Sequence, residues 1–128
     1  MMTTLHETQI SKTRKILGYI FSILPSLMIV FSGSNKILGV QWMVEAMNTI
    51  PHIGEITPFI GMLEITCVLI YWIPKAGNLG FFLLCSYTGG IIVAEIVANH
   101  TPLPGILLAA FIYIGTVLRK PSISGLNI

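Results

Sequence analysis

Charge is what this 128-residue sequence has least of. Lys and Arg together number 7, Asp and Glu 5, so that 9% of residues are charged, against about 25% in soluble domains. A charge total this low cannot coat a soluble globule, and the 54% hydrophobic content assigns the chain to the membrane. The same scarcity argues against nucleic-acid binding, which needs a basic face on a soluble module. Cysteine is nearly absent too. Cys67 and Cys85 both lie inside apolar runs with no Cys-x-x-Cys or Cys/His spacing, a pattern of packing thiols rather than of zinc or redox chemistry. His6, His52 and His100 fall in polar segments, too far apart in pattern to predict a metal site. No nucleophile-base pair, phosphate-cradling glycine loop or haem ligand pair is present, so independent catalysis has no support.

What remains is four apolar runs. Residues 1–15 form a polar, basic-ended segment, residues 16–121 a membrane domain, and residues 122–128 a polar tail. The first run begins at Ile16 and meets no charge before Lys36, about 20 residues, enough to cross a bilayer core. A secretory signal with cleavage near Ser32-Gly33-Ser34 is the competing reading, disfavoured by the length of the run and by the three further runs that follow. Pro25 is expected to kink this helix, while Gly18, Ser22 and Ser26 offer a neighbour close approach. The second run covers about Ile56 to Ile73, the third Leu79 to Ala98 and the fourth Leu103 to Leu118. Between the first two, Trp42, Met43, Ala46, Met47 and Ile50 repeat at helical spacing. This segment reads as a short interfacial helix or as an ordered loop packed on the helices. The fold class is therefore all-α, a transmembrane four-helix up-down-up-down bundle.

Six of the seven basic residues fall on one side of such a bundle and Lys36 alone on the other, which places both termini in the cytoplasm. Within the runs stand Glu64 and Glu95, each expensive in lipid at roughly 2.5–3.5 kcal/mol or more. At about 1.5 Å per residue, Lys36, Glu64 and Glu95 all reach the outer half of the membrane. Ser32 precedes Lys36 by one turn, Thr88 precedes Glu95 by two, and Thr57 and Tyr71 lie two turns either side of Glu64, so polar stripes on three helices are expected to converge on a pocket holding Lys36, Glu64, Glu95, Ser32 and Thr88. Two carboxylates against one ammonium leave one carboxylate in excess, able to hold a proton or a cationic ligand. A satisfied polar plug that only fixes helix register is the plain alternative.

Phe31-Ser32-Gly33, Lys36-Ile37-Leu38-Gly39, Gly61-Met62-Leu63-Glu64, Ile73-Pro74, Leu79-Gly80 and Tyr87-Thr88-Gly89-Gly90, with Gly115 and Leu118-Arg119 before Pro121, together resemble the DoxX-like family of small four-helix membrane proteins. The resemblance covers about residues 16 to 121, and its Tyr87-Thr88-Gly89-Gly90 motif adds Tyr87 to the expected pocket. It implies a bacterial-type cytoplasmic membrane and a distant link to the DoxD subunit of thiosulfate:quinone oxidoreductase. Two positions depart from the pattern: Glu95 stands where many members carry a histidine, and Tyr113 where they carry tryptophan. The expected role is an accessory subunit of a redox or quinone-linked assembly, with a membrane or redox protein or a second copy of the chain as partner. A quinone suits a pocket with apolar walls and few polar groups. A small proton-coupled transporter or permease subunit and a purely structural membrane partner are the competing readings.

Overall fold

A computed structural model describes residues 11–124. These fold into five α-helices joined by short turns: α1 (Lys12–Leu38), α2 (Gln41–Asn48), α3 (Thr57–Tyr71), α4 (Gly77–Val97) and α5 (Leu103–Arg119), with 3-10 turns at Gly54–Ile56 and Pro121–Ser124. No strand occurs among the described residues. The N-terminal segment expected at 1–15 lies mostly outside them, as does most of the 122–128 tail.

Helix boundaries follow local chemistry. Ser11 caps α1 by accepting a hydrogen bond from the Arg14 N–H at 3.1 Å, which satisfies one of the free donors of the first turn. Gly39 closes α1 in the left-handed region at φ 70°, where a residue without Cβ pays no steric cost. The helix runs unbroken through Pro25. Pro58 and Pro104 each sit in the first turn of their helices, where a missing N–H removes no intrahelical bond.

Three helical segments are long and apolar enough to cross a membrane: Lys12–Leu38, Gly54–Tyr71 and Gly77–Val97. Leu103–Arg119 is equally apolar but has 17 residues. The four long helices pack as a cycle, α1 on α3, α3 on α4, α4 on α5 and α5 on α1. Burial is inverted relative to a soluble protein. Leu38 is 77% exposed and Phe31 63%, whereas Ser22 is 0% and Glu64 2% exposed. Apolar side chains turned outward around polar ones are stable only in an apolar solvent, and together with the apolar helices they point to a membrane protein.

Two of the helix contacts are set by glycine. A Cβ at Gly61 on α3 would lie 2.5 Å from the Gly33 carbonyl oxygen on α1, and one at Gly33 would lie 2.9 Å from the Gly61 oxygen. The α1–α3 crossing therefore closes to backbone contact. Gly115 on α5 is pressed in the same way against the Ser22 backbone of α1. Between these crossings lies an apolar core of Ile29, Cys67, Val68, Phe81, Leu84 and Ile112. Cys67 and Cys85 are both free thiols.

Candidate functional site

The Gly33–Gly61 crossing positions the site. Lys36 follows Gly33 by three residues on α1 and Glu64 follows Gly61 by three on α3, so each long side chain emerges one turn past the contact and on the same face as its glycine. The two meet as a buried ion pair, Lys36 Nζ on Glu64 Oε1. Tyr87, from α4, donates its hydroxyl hydrogen to the same Oε1, and Lys36 Nζ lies 3.5 Å from the Tyr87 oxygen. Three helices are thereby tied at one oxygen atom. The other carboxylate oxygen, Glu64 Oε2, is buried with no hydrogen-bond partner among the described residues. An ionised carboxylate has about four acceptor sites, and a bare buried oxygen forgoes the hydrogen bonds that would offset its desolvation.

A cavity of about 450 Å³ adjoins this group, inside the range of about 300–1,000 Å³ typical of small-molecule sites. All four long helices contribute to its wall, and Met47, Ile50 and Ile53, from α2 and the turn after it, cover one side. The polar lining is confined to Ser32, Lys36, Glu64, Tyr87 and Glu95; the remaining wall is built from residues such as Met28, Ile29, Ile91 and Leu108. Gly90 also lines the cavity, and a Cβ placed there would meet nothing within 4 Å. At this position the missing side chain leaves open space, where at Gly33 and Gly61 it permits backbone contact.

Five of the six residues expected to form a pocket thus share one cavity. Lys36, Glu64 and Tyr87 are in contact. Ser32 and Glu95 line the same space without a hydrogen bond to the triad. Thr88 does not line it: its hydroxyl donates to the Cys85 carbonyl at 3.0 Å, and its side chain is buried beside the apolar core. Tyr113 packs edge-on against Phe81 at 5.7 Å, away from the cavity. No group of three or more His, Cys, Asp or Glu side chains able to hold a metal occurs among the described residues.

The DoxX-like family model matches residues 20–118. This chain belongs to the DoxX-like family. Comparison with curated proteins and with solved structures returns no match. The matched span of this DoxX-like chain holds every residue of the cavity wall, including the helix crossing that sets the ion pair.

A second polar cluster sits at the opposite end of the helices, and sequence reasoning missed it. Arg119, from α5, donates through Nη2 to the Tyr71 hydroxyl at 2.7 Å and through Nε to Ser22 Oγ at 3.2 Å. Tyr71 OH also lies 2.5 Å from Thr116 Oγ1 and 3.1 Å from Ser22 Oγ. The guanidinium is ringed by Tyr19, Tyr71 and Trp72, with ring centroids 5.1, 5.4 and 5.0 Å from Cζ, which stabilises its charge by cation-π attraction in place of a carboxylate. Trp72 Nε1 extends the network to Ser26 Oγ at 2.9 Å. Four-residue spacing of Ser22 and Ser26 was the available signal, but it reads equally as a small-residue stripe.

Proposed function

We propose that this DoxX-like protein crosses a cytoplasmic membrane four times, up-down-up-down, with both termini in the cytoplasm and α2 at the outer interface, and that it holds a lipophilic small molecule in its outer-half cavity. Its role is that of an accessory membrane subunit of a redox or quinone-linked assembly, without independent catalysis. The observation that carries this reading is the cavity itself, apolar along most of its wall and ending on a buried ion pair that keeps unused hydrogen-bonding capacity. Lys36 has three N–H donors, of which two face Glu64 and Tyr87; the third, with the Ser32 hydroxyl, suits a carbonyl headgroup such as that of a quinone. The concentration of Lys12, Arg14, Lys15, Lys75, Arg119 and Lys120 at the other end supports the orientation.

Binding of decylubiquinone to protein in lipid nanodiscs, measured by calorimetry against empty nanodiscs, tests the cavity. The proposal expects saturable binding that is lost in Gly90→Leu, whose side chain grows into the open space without striking the backbone. Non-saturable partitioning, or equal binding by Gly90→Leu, contradicts it. Topology is tested separately: in a background lacking Cys67 and Cys85, Asn48→Cys is labelled by an impermeant thiol reagent in intact cells and Ser122→Cys is not, and the reverse result inverts the orientation. The alternative of a permease subunit draws on Glu95, a carboxylate on the cavity wall outside the Lys36–Glu64 ion pair, with His100 close enough to act on it electrostatically. Substrate flux in liposomes distinguishes the two.

A further inference from the structure

The charges around the cavity do not balance, and their imbalance has a sign. Each wall contributes differently. From α1 comes Lys36, from α3 Glu64, and from α4 Tyr87 and Glu95, while the α5 residues and the cover over the cavity (Pro104, Leu108, Met47, Ile50, Ile53) supply no titratable group. Lys36 and Glu64 neutralise one another. Glu95 therefore leaves the lining with a formal charge of one negative, and His100, just beyond α4 and outside the lining, is the cationisable side chain that acts on it electrostatically. Glu64 Oε2, facing Gly33 on α1, is a buried acceptor with no donor among the described residues.

The same sign extends beyond the cavity. Glu45 and Glu55 stand in the segment between α1 and α3, at the Lys36 end, and among the described residues Lys36 is the one Lys or Arg there. The opposite end carries six basic residues and no acid among those described. A cleft with low-dielectric walls and carboxylates at its rim concentrates cations and repels anions. A fatty-acid carboxylate would face Glu95 as a like charge.

We propose that the cavity, besides a carbonyl headgroup at Lys36 and Ser32, takes an amphiphilic organic cation, with a protonated amine held at Glu95 and an apolar tail lying along the Met28, Ile29 and Leu108 wall. This rests on the cavity being a ligand site, as argued above, and adds the class of ligand. An ammonium N–H donor supplies what the lining lacks, a positive charge for Glu95.

Three ten-carbon probes of matched chain length separate the possibilities: decylammonium, decanol and decanoate, each titrated into protein in phosphatidylcholine nanodiscs with empty nanodiscs subtracted. Decylammonium is expected to bind about tenfold more tightly than decanol, the weight of a hydrogen bond to a charged group, and decanoate more weakly than either. Glu95→Gln should reduce decylammonium to the level of decanol and leave decanol unchanged. Glu45→Gln, at an exposed acid of the same end outside the cavity, should leave the ranking intact. Decanol binding as well as decylammonium, an unchanged ranking in Glu95→Gln, or an equal loss in Glu45→Gln overturns the assignment of a cation to Glu95 while the ligand site stands. Saturable binding of none of the three overturns the ligand site as well.

Discussion

The two ends of the molecule solve the same problem differently. Each holds a cationic side chain among helices, Lys36 buried and Arg119 partly so, each uses a tyrosine hydroxyl as a hub, and each joins three helices. At the Arg119 end every polar side chain of the cluster has a partner: Ser22, Ser26, Tyr71, Trp72, Thr116 and Arg119 form one connected network. At the Lys36 end one carboxylate oxygen and the Asn35 side-chain amide nitrogen are buried without partners, and these are the two such atoms among the described residues. A complete network fixes helix register and has nothing left to offer a ligand. An incomplete one beside a 450 Å³ cavity marks where function departs from stability.

The largest expected effect tests whether the ion pair is as tightly coupled as its geometry indicates. Lys36→Met leaves Glu64 charged and unpaired and should lower stability by about 3–5 kcal/mol, read as a fall in thermal midpoint in detergent. Adding Glu64→Gln should recover much of that loss. Strictly additive losses, within about 0.5 kcal/mol, would show that the two side chains do not interact.

Arg119→Met should cost less, about 2 kcal/mol. It removes two hydrogen bonds and the ring contacts but strands no opposite charge. Its discriminating readout is ligand affinity, which should stay at the wild-type value while the thermal midpoint falls. A fall in affinity equal to that of a cavity variant would erase the distinction between the ends.

How much of this the sequence disclosed follows the same division. Lys36, Glu64 and Glu95 were legible because a charge inside or at the edge of an apolar run has few reasons to be there. Tyr87 entered through a family resemblance, since a tyrosine in a membrane helix carries no signal of its own. The Arg119 network was invisible for a related reason: Ser22 and Thr116 are ordinary in apolar helices, a basic residue after the last span reads as an orientation signal, and Tyr71, which helical spacing aligns with Glu64, turns instead to Ser22, Thr116 and Arg119. Thr88 was placed in the pocket by helical periodicity, but its hydroxyl turns to its own helix at Cys85, a choice that residue spacing does not encode. That α2 would cover a cavity depended on tertiary packing, which an eight-residue amphipathic stretch cannot specify.

Smaller effects sharpen the comparison further. Tyr87→Phe should cost about 1 kcal/mol, because Glu64 keeps Lys36, yet it should alter ligand binding, since it changes the polar end of the cavity. A loss above that of Lys36→Met would mean the tyrosine, and not the ion pair, holds the site together. Gly90→Ala should raise stability by about 0.5–1 kcal/mol, because the new methyl meets open space. A destabilised Gly90→Ala protein would mean that the space beside Gly90 is filled.

The central claim, that the Lys36 end accepts a ligand in a defined cavity, is tested most directly by methyl NMR of the protein labelled at methionine. Met28 and Met47 line the cavity, and Met62 is exposed on the outside of α3. Titration with decylammonium should shift the Met28 and Met47 methyl signals saturably and in parallel, be abolished for both by Gly90→Leu, and leave Met62 changing only as it does with lipid. Equal, non-saturating shifts at all three methyls, or shifts at Met28 and Met47 that persist in Gly90→Leu, would contradict it.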